Sequence, residues 1–156
     1  MSKNVYVYYS QSGNMTRIID RIKTIVEGDI LQIEAKIPYI GSTKKVIEEW
    51  KPEFYNNVIR DAQDYDIDLS KYDTVFVGTP NWGGTMPSPL KSFLMRYSYD
   101  GKRIIPIVTH GGGGAATCAE HIYEITKTKD KIHPLVVKKD EVDVDTINMW
   151  LNDINF

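Results

Sequence analysis

Short apolar runs alternate along the chain with segments in which apolar residues recur every three or four positions. The runs are dense in β-branched and aromatic residues and predict strands at 5–9, 30–35, 73–78, 103–109 and 132–138. The intervening spacing predicts helices whose apolar faces carry Met15, Ile18, Ile19, Ile22 and Val26; Leu90, Phe93, Leu94 and Tyr97; Ala119, Ile122 and Tyr123; and Val144, Ile147, Leu151 and Ile154. Continuously apolar strands separated by helices indicate a parallel sheet covered on both faces.

Two places depart from this regular alternation. Residues 36–70 form a long connection without a strand pattern, typical of a lid or a variable excursion, and the pattern does not fix its side of the sheet. Two short helices are predicted within it, from Val46, Ile47 and Trp50 before Pro52, and from Phe54, Val58 and Ile59 after it. Pro106 lies inside the fourth predicted strand, where it cannot donate to the ladder, so we expect a local irregularity there.

Length and composition narrow the class of protein. A chain of 156 residues predicts one domain over 1–156, with interior enough for a covered sheet. A net charge of -2 argues against nucleic acid or a membrane surface as the main partner, and no apolar run is long enough for membrane insertion. The single cysteine, Cys118, excludes an internal disulfide and a zinc cluster. The first residues lack a secretory pattern, so we expect a cytoplasmic protein.

The loop after the first strand suggests anion binding. It reads Ser10-Gln11-Ser12-Gly13-Asn14-Met15-Thr16, without lysine or arginine, and a helix is predicted to begin there. Hydroxyls, an amide and unpaired backbone N–H groups at a helix N-terminus suit a phosphate dianion. Neither the GK[ST] ending of a nucleotide P-loop nor the G-x-G-x-x-G fingerprint is present, which favours one terminal phosphate. The alternative is a serine-rich turn in which Asn14 caps the helix.

Two further loops follow the third and fourth predicted strands. Residues 78–87 read GTPNWGGTMP and place an indole in a tightly bent loop, whereas residues 109–114 read THGGGG, where backbone can approach a flat ligand closely. In a sheet of order 2-1-3-4-5, strands one, three and four are neighbours, so all three loops would meet at the carboxyl edge. Trp82 would supply a stacking surface, and glycine backbone groups would bind the polar edge of a planar heterocycle.

These three loops, in this order after these strands, resemble those of flavodoxins, and the resemblance covers nearly the whole chain. It implies a flavodoxin-like three-layer, doubly wound α/β fold with a five-stranded parallel sheet of order 2-1-3-4-5, and non-covalently bound FMN. The resemblance assigns the FMN phosphate to Ser10, Ser12, Gly13, Asn14, Met15 and Thr16. It assigns the ring to Pro80, Asn81, Trp82 and Gly83, and the pyrimidine edge to Thr109, His110, Gly111 and Gly112.

The sequence departs from these relatives at the ring. They often carry a second Trp where this chain has Gly83, and many electron carriers cover the outer ring face with a Tyr in the later loop, which here holds only glycines and alanines. An open ring face would allow hydride or substrate approach. Carriers are also commonly very acidic, whereas this chain is nearly neutral.

Three functions follow as hypotheses. The leading one is electron transfer between a reductase and acceptor proteins. The alternative is an FMN-dependent oxidoreductase that takes hydride from a nicotinamide nucleotide, NAD(P)H, and passes it to a quinone or similar small acceptor. A third is a non-catalytic partner-binding module that uses the crevice for regulation. The redox chemistry would belong to the cofactor, so no catalytic residue is assigned, and the oligomeric state stays open.

Several other residues have structural interpretations. Cys118 is expected to be a small packing residue in preference to a redox sensor. His121 and His133 lack metal-ligand spacing, so no metal is assigned. Trp50 and Trp150 fit helical apolar faces and are expected in the core.

Two polar residues close to the loops have open roles. Arg17, just inside the first helix, would assist the phosphate or, by preference, face solvent. His110 would donate a hydrogen bond to the ring, or pack its own loop.

Overall fold

The computed structural model describes residues 3–156, which form a three-layer α/β arrangement around one parallel sheet. The strands are β1 (Asn4–Tyr8), β2 (Asp29–Gln32), β3 (Thr74–Pro80), β4 (Arg103–His110) and β5 (Leu135–Lys138). The helices are α1 (Asn14–Lys23), α2 (Thr43–Tyr55), α3 (Ser88–Leu94), α4 (Cys118–Thr126) and α5 (Val144–Asp153), with a 3-10 turn at Leu69–Lys71. The sheet order β2-β1-β3-β4-β5 confirms the predicted fold class.

The two faces of the sheet bury alternate strand residues against different helices. Val5, Val7, Val75 and Val77 pack with residues of α3 and α4. Tyr6 and Phe76 point the other way, toward residues of α1 and α5, and their rings stack with centroids 4.5 Å apart. Because both faces are covered, β1 and β3 are buried at nearly every position, and their apolar runs are the pattern that predicted a parallel sheet.

The two edge strands are shorter than predicted. β2 ends at Gln32, and Ala35 instead makes an isolated antiparallel bridge with Ala62. β5 begins at Leu135, and the carbonyls of two preceding residues accept side-chain hydrogen bonds: Tyr123 Oη donates to Ile132, and Trp150 Nε1 donates to His133 at 3.2 Å. These carbonyls are therefore satisfied without a ladder partner.

The irregularity expected at Pro106 is absent, so that prediction was wrong. β4 runs continuously from Arg103 to His110, and Pro106 lies opposite Val77 of β3 in unbroken register. On the other side, β5 begins only opposite Ile107. The missing N–H of Pro106 therefore precedes the pairing with β5.

The 36–70 connection contains one helix where two were predicted. Ser42 caps α2 by accepting a hydrogen bond from the N–H of Lys45 at 3.3 Å. Pro52 lies inside the helix, near its end, and removes only the bond to the carbonyl of Glu48. Val58 and Ile59 lie beyond the helix and are exposed. Glu49 and Glu53, on either side of the proline, both pair with Arg60, and Trp50 is buried. These contacts stabilise α2 across the proline.

Arg60 anchors α2 to the rest of the connection. Its Nη2 lies 2.6 Å from Glu53 Oε1 and 3.3 Å from Glu49 Oε2, its Nη1 donates to the carbonyl of Ile37, and its guanidinium lies 3.7 Å from the ring centre of Tyr39. The Arg60 side chain is only 16% exposed. These contacts fix the position of α2 relative to residues 37–39.

Replacing this anchor gives a stability prediction. Arg60→Met is expected to lower the free energy of unfolding by about 2–3 kcal/mol, because Glu53 and the Tyr39 ring lose their cation in a largely buried place. Urea unfolding monitored by tryptophan fluorescence measures the change. Lys36→Met is the matched control: its pair with Asp64, at 3.8 Å, is exposed and should contribute about 0.5 kcal/mol or less. Equal losses in the two variants would contradict the anchoring role.

Cys118 is a buried residue at the start of α4, as expected for a packing residue. Burial raises the pKa of its thiol to about 11. At about pH 8, iodoacetamide should therefore modify the folded protein about 100-fold or more slowly than the guanidinium-denatured chain, as followed by mass spectrometry. Comparable rates in the two states would show that the thiol is accessible and reactive.

Trp150 is also buried in the core, between α5 and the sheet, as predicted.

Within residues 3–156, no helix combines the length and the apolar character that crossing a membrane requires. The same part of the chain contains no cluster of three or more His, Cys, Asp or Glu side chains that could hold a metal ion.

Candidate functional site

A cavity of about 620 Å³ lies at the carboxyl ends of β1, β3 and β4. All three loops singled out in the sequence contribute to its wall. The predicted site residues that line it are Ser12, Asn14, Pro80, Asn81, Trp82, Gly83, Thr109, His110 and Gly111. Its size is that of a site for a small molecule or cofactor.

The remaining predicted site residues lie in the same loops without lining the cavity; they are Ser10, Gly13, Met15, Thr16 and Gly112. Met15 is buried in the core against Gly78, so only its main chain is available to a ligand. The hydroxyl of Ser10 accepts a hydrogen bond from the N–H of Thr16 at 3.4 Å. Ser10 therefore braces the start of α1 from within the loop.

The N-terminus of α1 presents unpaired donors. Gly13 is the N-cap residue, with a left-handed backbone at φ 89° and no side-chain cap, so the interpretation of Asn14 as the cap was wrong. The first intrahelical bond runs from the N–H of Arg17 to the carbonyl of Gly13. The N–H groups of Asn14 and Met15 consequently have no helical acceptor, and they lie at the positive end of the helix dipole.

Arg17 is exposed, as was preferred from the sequence, and its guanidinium also contacts this loop. Its Nε lies 2.7 Å from Asp140 Oδ2, and its Nη2 donates to Asn14 Oδ1 at 2.7 Å. The guanidinium holds the pKa of the Asp140 carboxyl below its usual value. The bond from Arg17 to Asn14 Oδ1 fixes the orientation of the Asn14 amide. The amide nitrogen of Asn14 is the atom that can donate to a ligand.

Asn81 ties the second loop to the glycine-rich loop. Its Nδ2 donates to the carbonyl of Gly114 at 2.8 Å, and its Oδ1 accepts from the N–H of Gly84 at 2.8 Å. Its own N–H donates to the carbonyl of Thr109 at 2.8 Å. Asn81 therefore positions both loops, and the side chain is already engaged.

Trp82 is held in place by three other aromatic side chains. The rings of Tyr9, Tyr39 and Trp50 meet it edge-on, with centroids at 5.5, 5.4 and 5.7 Å. Edge-to-face packing of this kind stabilises an aromatic pair beyond simple burial. These three contacts fix the orientation of the Trp82 indole, which was predicted to stack on a planar ligand.

Gly83 lies directly under the ring of Trp50. Its φ is +63°, and a Cβ at this position would come within 2.5 Å of Trp50 Cη2. The space above Gly83, where relatives often carry a second Trp, is thus filled by an indole from α2. The interpretation of Trp50 as core therefore holds only in part, because this buried residue also lines the cavity.

The wall formed by α2 was missed in the sequence. Along one side of that helix, the cavity is lined by Thr43, Val46, Ile47, Trp50, Lys51, Phe54 and Tyr55. Their spacing of three and four residues is a clear signal for one helical face, but the same spacing is typical of a face that packs on a core. Gln11 and Lys139 complete the lining and were also missed.

The polar end of the cavity contains an unpaired buried atom. Among the described residues, His110 Nδ1 is a buried side-chain nitrogen with no hydrogen-bond partner. The carbonyl of His110 accepts from the N–H of Lys139 at 2.7 Å. This bond fixes the end of β4 relative to the end of β5 at the edge of the cavity. A buried unpaired nitrogen beside a cavity is a position where a ligand supplies the missing partner.

Comparison with protein-family profiles shows which family the chain belongs to. The sequence profile of the family described as Flavodoxin matches residues 3–154. The chain belongs to the flavodoxin family. This finding confirms the resemblance seen in the three loops, and the sheet order agrees with it.

Solved structures share the fold of this flavodoxin-family chain. A candidate flavoprotein from Bacteroides eggerthii DSM 20697 is 22% identical, with a TM-score of 0.77 over 100% of this chain and 99% of that one. A flavoprotein from Lactobacillus acidophilus NCFM, solved in complex with FMN, is 21% identical, with a TM-score of 0.68 over 95% and 99% of the two chains. A flavodoxin from the domain Archaea is 15% identical, with a TM-score of 0.57 over 99% of each chain. A comparison with curated proteins found no match.

Proposed function

We propose that this chain binds FMN in the described cavity and transfers electrons between a reductase and acceptor proteins. The observation that carries the proposal is the meeting of three strand-end loops around the free N-terminus of α1. The FMN complex of the structurally similar Lactobacillus protein supports it.

The residues present fit this cofactor. Hydroxyl and amide groups of Ser12 and Asn14 and the free N–H groups of α1 would hold the phosphate, with Ser10, Gly13, Met15 and Thr16 shaping the loop. Pro80, Asn81, Trp82 and Gly83 would bound the ring. Thr109, His110, Gly111 and Gly112 would meet its polar edge, where His110 Nδ1 lacks a partner. Bound FMN would supply the redox chemistry, and the chain would orient it and exclude water.

Exposed apolar side chains of the 36–70 connection, whose helix α2 lines the cavity, support transfer to a protein partner. Ile37, Ile40 and Tyr55 are 74%, 71% and 75% exposed, and all belong to the connection that carries α2. Apolar groups grouped on a surface next to a redox site are typical of a docking area. Transfer to a protein partner needs such an area close to the cofactor.

A second candidate is an FMN-dependent oxidoreductase that passes hydride from NAD(P)H to a quinone or similar small acceptor. The observation that favours it is the charge of the cavity, whose lining includes Lys51 and Lys139 and no carboxylate. Two lysines without a carboxylate favour the binding of an anionic small substrate. The acidic surface of a typical electron carrier would repel such a substrate.

Anaerobic reduction of the FMN-loaded protein separates the two candidates. If the chain is a carrier, NADPH alone should leave the flavin absorbance unchanged over minutes, and a catalytic amount of a flavodoxin reductase should bleach it. Rapid bleaching by NADPH alone would instead establish the oxidoreductase. A colourless protein that does not take up FMN would favour the partner-binding module.

A further inference from the structure

The α2 wall of the cavity carries apolar side chains that nothing in residues 3–156 covers completely. Val46 and Trp50 are buried, but Ile47, Phe54 and Tyr55, which follow the same helical face, remain 40%, 38% and 75% exposed. Apolar side chains that line a cavity and stay exposed offer a surface for an apolar ligand. We call Ile47, Lys51, Phe54 and Tyr55 the α2 subsite.

The α2 subsite belongs to a different wall of the cavity from the phosphate loop. The start of the connection is tied to that loop, because Gln11 Nε2 donates to the carbonyl of Tyr39 at 3.0 Å. The middle of α2 lies on the ring loop, through the contact of Trp50 with Gly83. Lys51, Phe54 and Tyr55 follow Trp50 in the last turns of α2, a helix about 20 Å long.

The charge of the α2 subsite is unbalanced. Within residues 3–156, no carboxylate lies within the 4.0 Å ion-pair distance of Lys51, whereas Arg60 of the same connection pairs with two glutamates. No Asp or Glu lines the cavity. A phosphate held at the N-terminus of α1 would be bound by the free N–H groups of that helix, so Lys51 is left without an anionic partner.

We infer that the α2 subsite binds a small planar aromatic molecule carrying a negatively charged group. Phe54, Tyr55 and Ile47 would pack on its ring, and Lys51 would pair with its charge. The inference rests on the proposed FMN site only for the placement of the two ligands, with FMN on the loop wall and the aromatic anion on the α2 wall. The aromatic anion would be the second substrate of the oxidoreductase candidate.

A matched pair of probes tests this subsite. In calorimetry with the FMN-loaded protein, naphthalene-2-sulfonate should bind about fivefold or more tightly than its neutral isostere naphthalene-2-sulfonamide, without releasing FMN. Lys51→Gln should abolish this preference. Lys44→Gln, which removes the same charge from an exposed position of α2 outside the cavity lining, should leave it unchanged. Tyr55→Ala should weaken both probes equally.

The outcomes separate the subsite from the cofactor proposal. Equal affinity for the two probes, no binding, or displacement of FMN by the sulfonate would overturn the α2 subsite while leaving FMN binding intact. If the chain does not take up FMN, the proposed function fails. A sulfonate preference that still depends on Lys51 in the FMN-free protein would then support the subsite alone.

Discussion

Ser12→Glu is expected to lower the affinity for FMN about 100-fold, which corresponds to about 2.7 kcal/mol. Ser12 is an exposed residue of the first loop that lines the cavity beside the free N–H groups of α1. A carboxylate placed there would repel the phosphate and occupy the donors that otherwise bind it. Quenching of flavin fluorescence during titration of the purified protein measures the change.

Two controls isolate the phosphate contribution. Riboflavin, which lacks the phosphate, should bind the variant and the parent protein equally. Ser98→Glu places the same charge on another exposed serine, just before Tyr99 and the amino end of β4, and should leave FMN affinity unchanged. Undiminished FMN affinity in the Ser12→Glu protein would show that the first loop does not hold the phosphate.

Gly83→Ala is expected to lower both the FMN affinity, about tenfold, and the free energy of unfolding, by about 2–3 kcal/mol. The new methyl group would lie 2.5 Å from Trp50 Cη2, and the φ of +63° disfavours any side chain. Trp50 is packed against both Trp82 and Phe54, with ring centroids at 5.7 and 5.3 Å, so its ring cannot move without disturbing the aromatic cluster. Urea unfolding and FMN titration measure the two effects.

Gly101→Ala separates the backbone strain from the contact with Trp50. Gly101 has a similar φ of +73°, but nothing lies within 4 Å of its would-be Cβ. That variant should lose only about 1 kcal/mol and should keep its FMN affinity. The double variant Gly83→Ala with Trp50→Leu should recover part of the loss, because the smaller side chain makes room. Equal losses in the two single variants would contradict the role of Trp50.

The parts of the structure that follow from local periodicity were predictable from the sequence. β1, β3 and β4 are buried on both faces, so their apolar runs are unbroken, and the resemblance to flavodoxins supplied their order. The loops after these strands are marked by residues with distinct chemistry, such as Trp82 and His110. That is why the walls they form could be expected at one edge of the sheet.

The parts that depend on distant contacts were not predictable. Trp50 has the spacing of a core residue, and only the tertiary structure shows that its ring lies on Gly83. The pairing of Arg17 with Asp140 joins residues 123 positions apart and left no local signal. Pro106 violated a rule of local propensity, and the late start of β5 removed the conflict. Long-range packing thus decides the α2 wall, and with it the character of the cavity.

The most direct test is a calorimetric titration of FMN into the purified, flavin-free chain, followed by the visible spectrum of the mixture. The account predicts one FMN per chain, a dissociation constant of about 1 µM or lower, and a shift of the flavin absorbance on binding. Absence of heat and of any spectral change with FMN at about 100 µM would contradict it.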